Sequence, residues 1–144
     1  MSPSLQTPRT PENAEPYRRT LRATAQAAHG FRRHFTEWVE STVATDREQR
    51  SDIVLAVYEA VANAVEHAYL DEGATGEITV DGRRDSRNAL TVTVTDVGSW
   101  KPFEPSAMRG RGIPLIGALS DEHDILTDSR GTTVTVRWRL SPTQ

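Results

Sequence analysis

The chain has no cysteine at all. That excludes disulfides and thiolate metal sites, and it fits a reducing compartment. It also has no apolar run near the ~20 residues that a bilayer-spanning helix needs. An apolar segment of the secretory type is missing near the N-terminus, so the cytoplasm is the expected location and no membrane partner is expected. Strong charge of one sign is missing too. The formal net charge of -3 argues against non-specific nucleic-acid binding as the main role. The four histidines, His29, His34, His67 and His123, are scattered without the spacing of a zinc site. No Ser/His/Asp order points to hydrolase chemistry. What is present is a chain of 144 residues, 26% charged and 36% apolar, which fits one soluble domain with a sizeable core.

Local patterns divide this chain. Pro3, Pro8, Pro11 and Pro16 lie among Ser, Thr and Glu, so residues 1–16 are expected to be a flexible tail before a domain spanning 17–140. Residues 17–23 read as an edge strand. Ala27, Phe31, Phe35, Trp38 and Val39 recur at helical spacing over 24–43. Thr45 followed by Glu48 reads as a capping box opening a second helix that ends near Leu70. The period then changes from 3.6 to 2. Ile78 and Val80, then Leu90, Val92 and Val94, alternate with polar residues as in a hairpin with one buried face. Residues 97–112 hold Gly98, Pro102, Pro105, Gly110 and Gly112 without periodicity, a long irregular stretch of the kind that is usually functional. A short helix over 113–119, a strand over 122–127 and a last strand with Val134, Val136 and Trp138 inward complete the order. The fold class expected is α+β: a two-layer sandwich in which helices cover one face of a mixed, mostly antiparallel sheet.

The second helix carries Glu59-Ala-Val-Ala-Asn63-Ala-Val-Glu66-His67-Ala-Tyr69. A helix turns 100° per residue, so Glu59 and Asn63 share a face one turn apart. Asn is a poor helix former because its amide competes for backbone hydrogen bonds. The apolar stripe Ile53, Val54, Val57, Val61, Ala64, Val65 and Ala68 points away from this face, which is bordered by the small residues Ala56, Ala60 and Ala62. The bland alternative is an ordinary solvated face. Strand parity adds more. Asp96 shares parity with Leu90, Val92 and Val94, and Thr132 with Val134, Val136 and Trp138. A carboxylate on a core face must be paired or serve a ligand. The competing reading is that Asp96 caps the turn before Gly98. Gly110-Arg111-Gly112 runs into a helix start with Pro114 in its first turn, so its amides, with Arg109 and Arg111, offer an anion site. It lacks the ending of a Walker A loop and the strand of a dinucleotide fingerprint.

In order, Glu59-x-x-x-Asn63, Asp96-x-Gly98, Gly110-x-Gly112 and Gly131-Thr132 resemble the GHKL ATPase superfamily and its Bergerat fold. The wording around Glu59 resembles the branch of stand-alone anti-sigma-factor serine/threonine-protein kinases. The resemblance implies Mg²⁺ and ATP as cofactors, with Asn63 on the metal and Glu59 as the base. It implies Asp96 as acceptor from the adenine amino group, supported by Thr132. Gly98 would let the backbone pass the base, and Arg109, Gly110, Arg111 and Gly112 would wrap the phosphates. It further implies a sigma factor and an STAS-type anti-sigma-factor antagonist as partners, no direct nucleic-acid contact, and a homodimer. Family members often have Asp-x-Gly-x-Gly, whereas Trp100 stands at the fifth place here. Two other classes stay open at this point: a nucleotide-dependent regulatory module without phosphotransfer, and an α+β interaction domain without nucleotide.

Overall fold

The computed structural model describes residues 15–70, 76–97, 112–128 and 131–141. Most of the expected tail and nearly all of the expected irregular stretch lie outside these. The elements are β1 (Tyr17–Arg22), α1 (Ala25–Thr42), α2 (Arg47–Leu70), β2 (Glu77–Arg84), β3 (Ala89–Val97), α3 (Gly112–Ala118), β4 (Glu122–Asp128) and β5 (Gly131–Arg139). The strands form one sheet in the order β1-β2-β3-β5-β4. Every pairing is antiparallel, so among the described strands the expected mixed character is absent.

The helices start where side chains satisfy their free N–H groups. Thr24 caps α1 by accepting the Ala27 N–H at 3.1 Å. For α2 the cap falls one residue later than the Thr45/Glu48 box expected from sequence. Asp46 Oδ1 accepts the Gln49 N–H at 2.8 Å, so Asp46 caps it instead. Thr45 is buried and serves a tertiary contact, in which its Oγ1 donates to Gln49 Oε1 and accepts the Ser141 N–H. Gln49 Nε2 donates to the Arg139 carbonyl at 2.8 Å. These bonds pin the start of α2 to the C-terminal end of β5.

Strand parity puts Ile78 and Val80, Leu90, Val92 and Val94, and Val134, Val136 and Trp138 on one buried face beneath the helices. The opposite face is polar. Thr20, Thr79, Thr95 and Thr133 stand in one row across four strands. α1 sends Ala28, Phe31, Phe35 and Val39 into the core, the i, i+3, i+4 spacing of an amphipathic helix. Tyr17 of β1 meets Phe35 edge-on at 5.1 Å, and Phe31 stacks on Phe35 at 5.4 Å. Gly82 leaves space for this cluster. A Cβ there would stand 3.1 Å from the Trp38 ring, inside its packing distance. Gly131, at φ 149°, opens β5 in a backbone conformation that only glycine adopts without strain.

Tyr17 gives the fold an alkaline limit. Its ring is buried, its hydroxyl sits 2.9 Å from His34 Nδ1, and burial pushes its pKa from 10.0 up to about 12 against the opposing pull of Arg19. A phenol whose pKa is raised by folding stabilises the native state fully below the unfolded value. That contribution is lost as pH climbs from about 10 to about 12, because the unfolded chain ionises first. Absorbance titration of phenolate is expected to show one tyrosine with a midpoint near 12, and thermal stability is expected to fall across the same window. A Tyr17→Phe chain that kept an identical slope would disprove the assignment.

Candidate nucleotide site

Asp96 and Thr132 are brought together as direct Cα partners on β3 and β5. Both project to the helix-covered face and are buried, at 3% and 4% exposed. Thr127 of β4 pairs with Thr132, and their hydroxyl oxygens lie 3.5 Å apart. Sequence reasoning missed Thr127. It shares strand parity with His123 and Ile125, but a polar ring and an exposed sheet edge blur the alternation that would have shown it.

Glu59 and Asn63 lie one turn apart on α2, as the spacing requires. Their surroundings differ from the bare border of small residues read from the sequence. Ala56 and Ala60 are fully buried, and Asn63 is buried with them at 6% exposed, while Glu59 is half-buried. The small residues are therefore part of the packing surface. α2 lies flat on β3 and β5, and a helix packed this way buries a wider arc than its apolar stripe alone.

The long helix α2 packs on the two strands that carry Asp96 and Thr132. Its start is tied to Arg139. From Arg139 back to Thr132 is seven strand residues, roughly 23 Å. From Gln49 forward to Asn63 is fourteen helical residues, about 21 Å. These two lengths are similar, and α2 packs on both β3 and β5. Glu77, which opens β2, pairs with Val97 beside Asp96. α3, which begins at Gly112, packs on α2 as well.

Among the described residues the buried polar or charged side chains are Thr45, Asn63, Asp96 and Thr132. Thr45 is explained by its bonds to Gln49 and Ser141. Asp96 and Thr132 face each other across β3 and β5, and Asn63 lies on α2, which packs on both strands. Asn63 Nδ2 has no hydrogen-bond partner among the described residues. A buried amide left without a partner costs stability and calls for an explanation. No cluster of three His, Asp or Glu able to hold a metal occurs among the described residues. A neutral carboxamide is a weak single ligand. It suits an ion such as Mg²⁺ that arrives already held by phosphate oxygens and water. The residues present therefore fit a phosphate-borne metal and not a preformed metal cage. Gly98, Arg109, Gly110 and Arg111 lie outside the described residues, as does the side chain of His67.

A five-stranded antiparallel sheet covered on one face by helices is the arrangement of a GHKL-type ATPase domain. The family model described as histidine kinase-like ATPase domain matches residues 10–138, and the chain belongs to that family. A solved structure containing the RsbU and RsbW domains of Rv1364c from Mycobacterium tuberculosis is similar to it. The identity is 31% and the TM-score 0.70, over 90% of this chain and 35% of that one. The chain thus spans about a third of the length of that protein. No described helix is long and apolar enough to cross a membrane.

Proposed function

We propose that this chain is an anti-sigma factor with serine/threonine-protein kinase activity. It binds Mg-ATP between α2 and the sheet and phosphorylates an STAS-type anti-sigma-factor antagonist. In its other state it holds a sigma factor, as a homodimer in the cytoplasm. The observation that carries the nucleotide half is the buried amide of Asn63, its Nδ2 unpartnered, on the helix that packs on the strands of the buried Asp96–Thr132 pair. The similarity to an RsbW domain supports the regulatory half.

Each residue then has a role. Asp96 accepts a hydrogen bond from the adenine amino group, with Thr132 beside it. Gly98 lets the backbone pass the base. The amides of Gly110 and Gly112, with Arg109 and Arg111, close on the phosphates. Asn63 holds Mg²⁺, which when bound neutralises charge on the transferred group. Glu59, half-buried and one turn from Asn63, accepts the proton of the attacking hydroxyl. Positioning and electrostatics supply most of the acceleration, as in phosphoryl transfer generally.

The test is transfer of labelled phosphate to an STAS-type protein. Glu59→Gln is expected to slow transfer about 100-fold or more while ATP affinity stays within about threefold. Unchanged transfer by Glu59→Gln removes Glu59 as the base. Nucleotide binding with no transfer to any such protein leaves a regulatory module that uses ATP only to set its shape.

A further inference from the structure

One groove in the described part of the molecule is lined by none of the residues of the Asn63 site. It lies along the outer seam of α1 and α2, with a volume of about 750 Å³, lined by one face of α1 from Arg32 to Glu40 and one face of α2 from Arg47 to Val54. Val39 and Val54 form a buried floor, and Arg32, Glu40, Arg47 and Ser51 stand exposed on the rim. The lining positions recur every three to four residues on both helices, so the groove is straight. From Arg32 to Glu40 it runs eight residues, about 12 Å or two helical turns.

Its charge is opposite to that of the whole chain. The protein carries a net -3, yet the groove holds the guanidiniums of Arg32, Arg47 and Arg50 against the single carboxylate of Glu40. None of these arginines makes an ion pair among the described residues, where the salt bridges are Arg18–Asp81 and Arg137–Asp85. Two of them are held in place. Arg32 lies over the Tyr58 ring at 4.8 Å, and Arg50 donates to the Thr45 carbonyl at 2.7 Å. Guanidiniums that are already oriented lose less freedom when they meet a carboxylate. Around α2, the groove positions Arg47, Ser51 and Val54 lie roughly 120° or more from Asn63, so a groove occupant and a nucleotide would share the helix on opposite flanks.

We propose that this groove docks an acidic helical segment of a partner protein, seated as a third helix against α1 and α2. The proposal stands apart from phosphotransfer, since it concerns only a binding surface. Two open helical turns with an apolar floor fit a helix face, and arginines without an ion pair fit its carboxylates.

The probe is a fluorescein-labelled helical peptide of about 14 residues built from Glu, Ala and Leu, with a Lys-for-Glu counterpart, followed by anisotropy near 50 mM salt, where screening is modest. The wild-type chain, saturated with ATP, is expected to bind the Glu peptide saturably and the Lys peptide weakly. The Arg32→Glu/Arg47→Glu variant is expected to lose about tenfold or more in affinity for the Glu peptide and to gain for the Lys peptide. Arg32→Lys/Arg47→Lys keeps most of the binding, and ATP affinity is unchanged in both. Three results overturn the proposal: no saturable binding, equal binding by the Glu variant, or displacement of the peptide by stoichiometric tripolyphosphate, which marks a small-anion site. Because binding is read with the nucleotide site filled, failure here leaves the kinase reading untouched.

Discussion

Asn63→Ala is expected to raise the stability of the nucleotide-free protein while abolishing its Mg-ATP-dependent turnover. Two terms favour the variant when no ligand is present. Asn63 is 6% exposed with Nδ2 unpartnered, and an unmade hydrogen bond on a buried group costs about 1–3 kcal/mol. Alanine is also the better helix former by up to ~0.7 kcal/mol. Against these stands the small void left by a shortened side chain, of order 1 kcal/mol. The net gain of about 1 kcal/mol corresponds to a rise in Tm of about 3 °C for a chain of this size. Mg-ATP reverses the order. A ligand at 100 times its Kd stabilises the protein that binds it by about 2.7 kcal/mol, and the variant forfeits most of this. Thermal unfolding with and without Mg-ATP should therefore show the two proteins exchanging order. A variant less stable than wild type without nucleotide, or one stabilised by Mg-ATP as strongly, would sink the assignment of Asn63.

That inversion also marks what was and was not legible in the sequence. The spacing of Glu59 and Asn63, and the inward parity of Asp96 and Thr132, follow from the periods of helix and strand alone, and the structure keeps both. The burial of Asn63 does not follow. A helical wheel orders positions by their own polarity, whereas burial depends on how much of the helix the sheet covers. Ala56 and Ala60 look like a bare border on the wheel and are packing residues in the fold. The cap of α2 shifted for a related reason. Thr45 has the right chemistry for a cap, but its hydroxyl is engaged by Ser141, ninety-six residues away in the chain. Local preference yields there to a tertiary bond that no local pattern announces. Strand β2 also runs past Ile78 and Val80, the alternating residues that mark it in the sequence, to Arg84, because β3 pairs with it along that whole length.

Trp138→Ala is expected to cost about 3–5 kcal/mol, the range for emptying a fully buried large aromatic position. Trp138 is 1% exposed on β5, across from Leu90. Against a total stability of about 5–15 kcal/mol, that loss leaves the domain marginal or unfolded at 37 °C. Urea unfolding provides the measure. With a slope of about 2 kcal/mol per molar, the midpoint should fall by about 2 M. The consequence reaches the nucleotide site through α3. Trp138 Nε1 donates to the Leu119 carbonyl at 2.7 Å, just past the end of the helix that Gly112 opens. The indole therefore fastens to the core the helix that follows the proposed phosphate loop. Trp138→Phe separates the two roles. It keeps most of the apolar contact but leaves the Leu119 carbonyl without its donor, for a smaller loss of about 1–2 kcal/mol. ATP affinity should nonetheless drop in the Phe variant, since α3 is then held by packing alone. If Trp138→Phe bound ATP as wild type does, the indole would contribute to stability only, and α3 would be positioned by its contacts with α2.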